Sequence, residues 1–148
     1  MAARNKAPAM AYLRTSSAAN VGEDKDSARR QRLAIERHAK AAGLEIVAEF
    51  ADEAVSGADP VETRPGFAAM LARIEGDGVR VVVVEDASRF ARSVLAQELG
   101  VLIMVKRGVR VVTAGGEDLT AADDPAKVIM RQVAGAFAEY EKARLVHS

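Results

Sequence analysis

Two and three residues after Arg14, where an apolar run gives way to a polar stretch, stand the hydroxyls Ser16 and Ser17. A hydroxyl nucleophile next to a guanidinium suits attack on a phosphate, because the guanidinium can hold the oxygens of the group being attacked. Alone, the pair is also an ordinary strand end, since serine is common in loops. Three further arginines add weight to the chemical reading. Arg64 stands before Pro65, and Arg89 and Arg92 lie three apart in the run Ser88-Arg89-Phe90-Ala91-Arg92-Ser93. A phosphodiester carries one negative charge and gains more during displacement, so preorganised guanidinium donors stabilise that transition state without a metal. The three-residue spacing projects Arg89 and Arg92 from one side of a helical turn, although the same run also reads as a capped, solvated helix start. His38 and His147 are the only imidazoles and there is no cysteine. Thiolate metal sites are thereby excluded, and a histidine-based zinc site or Ser/His pair is disfavoured.

These residues need elements to hold them. After a mildly basic arm over Met1–Pro8, Ala9–Arg14 reads as a strand buried at Met10, Tyr12 and Leu13. Ser16–Asp26 is polar, contains Gly22 and reads as a loop, with Asp26 or Ser27 capping a helix that runs to about Ala42 and stops at Gly43. Ala34, Ile35 and Ala39 form its apolar stripe, and Gln31 lies one turn before Ile35 on nearly the same face. Glu45–Ala51 alternates as a second strand, with Asp52 directly after it and an irregular loop to Arg64. Pro65 suits the first turn of a helical element over Gly66–Ile74, closed by Gly76-Asp77-Gly78. Val79–Val84 is nearly all valine, the pattern of a central strand covered on both faces. A helix over Val94–Lys106 and a strand over Val109–Thr113 follow.

Strands alternating with helices predict an α/β fold, a mainly parallel central sheet flanked by helices. Ligands of such sheets gather beyond the carboxyl ends of the strands, where Arg14, Ser16, Asp52, Asp86, Arg89 and Arg92 all fall. Asp124-Pro125 opens a long C-terminal helix from about residue 125, with Ile129, Val133, Phe137 and Tyr140 on one face. So wide an apolar face predicts a partner. No stop signal precedes Ser148, so the helix is expected to continue into a further domain.

At 148 residues the chain suits one domain, burying roughly 70% of the surface of its unfolded form. Its 49% hydrophobic and 28% charged residues are those of a globular rather than a disordered protein. No apolar run approaches the roughly 20 residues that span a bilayer, and Met1–Pro8 lacks a signal-peptide core, so a soluble, cytoplasmic protein without a membrane partner is expected. Lysine plus arginine and aspartate plus glutamate each total 21, so any affinity for nucleic acid must come from local arginine clusters.

Several ordered motifs together resemble the catalytic domain of the serine recombinases, the resolvase and invertase family of site-specific DNA recombinases. They are Tyr12-Leu13-Arg14-Thr15-Ser16, Gln31, Asp52 through Val55-Ser56-Gly57, Arg64-Pro65-Gly66-Phe67, Ser88-Arg89-Phe90-Ala91-Arg92 and Phe137-Ala138-Glu139-Tyr140-Glu141, spanning about Met10 to Leu145. The resemblance implies that Ser16 is the nucleophile, forming a 5'-phosphoserine link to DNA and freeing a 3'-hydroxyl. It implies that Arg14, Arg64, Arg89 and Arg92 hold the phosphate, with Gln31 and Asp52 as supporting polar positions. It also implies partners: DNA and further copies of the chain, as a dimer and then a tetramer during strand exchange, with Glu141 at an acidic position of the long helix. No cofactor or ATP is implied, because one phosphoester is exchanged for another. Residues 1–148 would be a single catalytic domain, with the DNA-binding domain expected beyond them.

Two positions depart from the family's pattern. Ser88 stands where many members have aspartate, with Asp86 two residues earlier, and Lys142 follows Glu141 where arginine is common. The activation of Ser16 stays open: surrounding guanidiniums lower its pKa, or Asp52 takes the proton, or Asp52 only orients Arg14. Two rival readings remain. Asp52 and Asp86, both just past strands, would suit magnesium in a metal-dependent phosphoryl-transfer or nuclease site. A non-catalytic nucleotide-binding or oligomerising module would lack a glycine-rich phosphate loop, since Gly115-Gly116 reads as a turn.

Overall fold

A computed structural model describes residues 6–15, 21–53, 64–121 and 125–147. Strands β1 (Ala7–Arg14), β2 (Leu44–Asp52), β3 (Val81–Val84) and β4 (Arg110–Thr113) form one sheet in the order β2-β1-β3-β4. All three pairings are parallel. The crossovers are helical: α1 (Val21–Ala42), α2 (Pro65–Asp77), and then α3 (Ala87–Phe90) with α4 (Val94–Lys106), while α5 (Pro125–His147) follows β4. The expected parallel α/β architecture is the one observed.

Strand order explains the residue pattern. β1 and β3 are central, and Met10–Leu13 and Val82–Val84 are all buried, so both strands are apolar on both faces. β2 is an edge strand and alternates between half-buried and exposed residues. On one face of the sheet Ala9, Ala11 and Leu13 meet Ile35 of α1, Val83 and Val112. On the other, Met10, Tyr12, Val82 and Val84 meet Phe67, Met70 and Ile74 of α2, Phe90 of α3, and Val101 and Met104 of α4. Tyr12, Phe67 and Phe90 form an edge-to-face row with centroid separations of 5.7 and 5.9 Å. The twofold alternation of a strand places Arg14 on the same face as Tyr12, toward α2 and α3.

Several boundaries differ from those expected. β1 begins at Ala7, inside the stretch read as an arm, and its first residues pair with Leu44–Ile46 of β2. α1 begins at Val21, so the second half of the expected loop is helical, and Asp26 and Ser27 lie within the helix rather than capping it. α2 runs on through Gly76 and ends at Gly78, whose left-handed backbone (φ 74°) lets its N–H reach the Ile74 carbonyl at 3.0 Å. Arg89 and Arg92 do not share a helical turn: α3 stops at Phe90, and Ala91 is extended at φ −160°, ψ 142°.

The C-terminal helix is seen in part, with side chains placed at Ile129 and over residues 131–142. Ala134 is buried, while Ile129, Val133, Phe137 and Tyr140 are exposed. Among the described residues no helix is long and apolar enough to cross a membrane.

Candidate active site

Asp52, the last residue of β2, organises the far end of the sheet. Its Oδ1 accepts from the Gly66 N–H at 2.7 Å, and its Oδ2 from the Phe67 N–H at 3.0 Å and the Tyr12 hydroxyl at 2.8 Å. The two amides belong to the first turn of α2, whose own N-cap residue, Arg64, gives no side-chain cap. Asp52 thus caps α2 from another element, satisfying donors that a helix start leaves open. Glycine at 66 makes the approach possible: a Cβ there would sit 2.4 Å from the Ala51 carbonyl oxygen. The result is that Arg64, one residue before α2, is fixed to the end of β2. Burial pushes the Tyr12 phenol well above its ordinary pKa, with the hydrogen bond from Arg64 pulling the other way.

The short helix α3 gathers the guanidiniums. In a helix of four residues only the Ala87 carbonyl finds a main-chain donor, the Ala91 N–H at 3.0 Å, and the other three are taken by arginines. Arg14 Nη2 donates to the Ser88 carbonyl at 2.8 Å and its Nε to the Arg89 carbonyl at 3.3 Å. Arg64 Nη1 donates to the Phe90 carbonyl at 2.6 Å and to the Tyr12 hydroxyl at 3.4 Å. Arg89 answers from the other side, its Nη1 donating to the Arg14 carbonyl at 3.2 Å. Arg14 and Arg64 are buried. Burial lowers the Arg14 pKa, and the charges of Arg64, Arg92 and Arg89 lower it further. Four positive charges therefore share one neighbourhood, although Arg92 itself is exposed.

α3 is held in turn by Asp86, whose Oδ1 accepts from the Ser88 and Arg89 N–H groups at 3.0 and 3.3 Å and from the Ser88 hydroxyl at 2.5 Å. Asp86 and Ser88 are thus one unit, which gives the departure at Ser88 a structural account. Gln31 on α1, fully buried, clamps the end of β1 as a peptide would. Its Oε1 accepts from the Arg14 N–H at 3.2 Å and its Nε2 donates to the Arg14 carbonyl at 3.1 Å and to Ser27 Oγ at 3.0 Å. The next residue, Thr15, donates its N–H to the Asp52 carbonyl at 3.0 Å. Its buried hydroxyl has no partner among the described residues.

Of the residues expected at the site, Arg14, Gln31, Asp52, Arg64 and Arg89 are joined by these contacts, and Arg92 reaches them through its charge. Ser16 lies outside the described residues, as do Val55, Ser56 and Gly57. Asp52 is engaged by the Tyr12 hydroxyl and by the first turn of α2. As for a metal, Asp52 and Asp86 each cap a different helix, and among the described residues no group of three or more His, Asp or Glu side chains is placed to hold an ion. Sequence reasoning missed Glu85. Its Oε1 accepts from Arg89 Nε at 3.1 Å and its Oε2 from Arg30 Nε at 3.0 Å. The available signal was the four-residue spacing of Glu85 and Arg89, with the acid on the N-terminal side.

The family described as resolvase, N-terminal domain matches residues 9–148. Among solved structures, the N-terminal catalytic domain of TP901-1 integrase is 22% identical, with a TM-score of 0.68 over 92% of this chain and 97% of that one. A resolvase family site-specific recombinase from Streptococcus pneumoniae is 28% identical, with a TM-score of 0.65 over 95% and 91%. The C-terminal catalytic domain of ISC1926 TnpA, an IS607-like serine recombinase, is 21% identical, with a TM-score of 0.58 over 88% and 79%. A search of curated proteins finds no match.

Proposed function

Since the chain belongs to the resolvase N-terminal domain family, we propose that it is the catalytic domain of a serine recombinase, cutting and rejoining DNA at specific sites through Ser16. The observation that carries this reading is the set of guanidiniums of Arg14, Arg64 and Arg89 fixed on main-chain carbonyls at the carboxyl end of the sheet. Such donors are worth most where charge develops, and holding them on the main chain removes the cost of arranging them during the reaction.

Ser16 Oγ attacks the phosphorus of a DNA phosphodiester. The new Oγ–P bond forms as the bond to the 3' oxygen breaks, and that oxygen leaves with a proton as a 3'-hydroxyl. Rejoining is the reverse, a 3'-hydroxyl attacking the phosphoserine, so the energy of one phosphoester is kept in the other and no cofactor is required. Arg14, Arg64, Arg89 and Arg92 hold the phosphate oxygens. Gln31 and Asp52 act at one remove, Gln31 by fixing the end of β1 and Asp52 by fixing Arg64 through α2. The exposed stripe of α5 carries the further copies that strand exchange requires.

The test is a covalent protein–DNA adduct, trapped on a duplex containing the selected recognition site, resolved by denaturing electrophoresis and mapped by mass spectrometry. An adduct at Ser16, absent in Ser16→Ala and insensitive to chelator, is the expected result. A folded protein that is bound and assembled on its site yet forms no adduct at Ser16 would falsify the assignment. Cleavage that survives Ser16→Ala and fails with chelator would instead favour the metal-dependent reading.

A further inference from the structure

α1 turns Gln31, Ile35 and Ala39 into the molecule. Its outer surface carries a line that the catalytic cluster leaves unused. Arg29, Leu33 and Arg37 follow one another at four-residue intervals, which keeps them along one side of a helix, and all three are exposed, Leu33 at 52%. With Asp26, Arg30 and Ala34 they border a shallow depression of about 330 Å³.

Charge separates this line from an ordinary solvated helix face. Between Asp26 and Lys40 the helix bears five basic residues against Asp26 and Glu36, in a chain whose formal net charge is zero. Two of the five are neutralised: Arg32 by Glu49 through bonds of 2.7 and 2.8 Å, and Arg30 by Glu85. Arg29 and Arg37 have no ion-pair partner among the described residues. Glu23 and Asp24 precede the line in the first turn of the helix. Glu85 accepts from Arg30 and also from Arg89, so one carboxylate joins this helix to the catalytic cluster.

We infer that the line Arg29–Leu33–Arg37 is a docking surface for the sugar–phosphate backbone of DNA beside the phosphate being cut, an inference that rests on the recombinase reading. Arg29 and Arg37 are about 12 Å apart along the helix axis, close to the rise of three to four nucleotides at about 3.4 Å each. Each guanidinium meets a phosphate, and Leu33 lies against the sugars between them. A contact of this kind adds affinity and register without reading sequence.

The experiment is a salt titration of binding to a fluorescent random-sequence duplex, followed by anisotropy. The double variant Arg29→Gln/Arg37→Gln should lower the slope of log K against log salt by about two, roughly one for each phosphate that is no longer neutralised. Lys106→Gln/Arg110→Gln, an equal charge change on α4 and at the start of β4, should leave the slope as in the parent. An unchanged slope in the α1 variant, an equal fall in the control pair, or no salt-dependent binding by the parent at low ionic strength overturns the inference. The Ser16 adduct is read separately. If it forms while the slope is unmoved, docking at α1 fails and the recombinase reading stands. If the slope falls but no adduct ever forms, the surface stands and the catalytic assignment fails.

Discussion

Tyr12 sits between opposite charges, donating its hydroxyl to Asp52 and accepting from Arg64, and this makes it a sensitive reporter of the site. Its pKa is raised in the folded protein, chiefly by burial. Above the ordinary tyrosine value near 10, the folded state keeps a proton that the unfolded state gives up. The resulting stability is complete below that pH and falls as pH rises toward the folded value. Tyr12→Phe should flatten this alkaline loss in urea titrations run across the range; a slope identical to that of the parent would show that Tyr12 is not its source. Glu85 poses a different question, because in the proposed reaction it acts through Arg89 rather than on the phosphate. Glu85→Ala should slow adduct formation by about tenfold, less than the roughly 100- to 1,000-fold that removing a direct donor costs. Glu85→Gln, which keeps one oxygen acceptor, should recover part of the rate, whereas equal loss in both variants would mean that its charge, not its hydrogen bond to Arg89, is what matters. The arginines are legible in the sequence because their residue type and strand-end positions point to one chemistry. Glu85 is not, because a carboxylate four residues from an arginine is commonplace on helices, and only the fold shows that this one also reaches Arg30 across 55 residues of chain.

Two helices set the site, and they differ in how much of them a sequence discloses. α2 announces itself through Pro65 and the helical spacing of Phe67, Met70 and Ile74. What holds its start does not, since the cap comes from Asp52, 14 residues away from Gly66. α3 is too short for any periodicity to register. It exists because Asp86 caps it and Phe90 is drawn into the core, and its unpaired carbonyls then collect the arginines. The central strands are legible because burial on both faces of β1 and β3 leaves a continuous apolar signal. The start of α1 is not, because Gly22 and the polar residues near it suit a loop equally well. The capping of α2 by β2 can be tested at the one position where the backbones crowd. In Gly66→Ala the new methyl meets the Ala51 carbonyl, so α2 must back away from Asp52 and draw Arg64 off the Phe90 carbonyl. The expected cost is about 1–3 kcal/mol, measured by urea denaturation, with adduct formation falling further than stability alone explains. A variant as stable and as active as the parent would mean that α2 tolerates displacement and that the Asp52 cap does not set Arg64.

For the molecule as a whole, the decisive feature is how α5 is rolled against the rest. Arg131 bonds Glu98 of α4 at 3.0 Å and the carbonyls of Thr120 and Leu119 at 3.2 and 2.7 Å, and Ala134 is buried. Glu98 is buried and Arg131 only partly so, and breaking the pair would leave the Glu98 carboxylate without its partner in the interior. These contacts fix the rotation of the helix, and by doing so they turn Ile129, Val133, Phe137 and Tyr140 outward, at 44–64% exposure. The apolar spacing is plain from the sequence, but not its direction: a stripe can pack inward as readily as outward, and Arg131 and Ala134 decide between them. Four large apolar side chains in one line form a patch that soluble monomers seldom expose, and a twofold-related copy would cover it with the same residues. Val133→Glu, in the middle of the stripe, places a charge where that contact would form. Sedimentation equilibrium should show the parent associating with rising concentration and Val133→Glu remaining monomeric, with circular dichroism unchanged because Val133 is exposed. A parent that stays monomeric at every concentration, or a variant that associates as the parent does, would assign the stripe to an occupant other than a second copy.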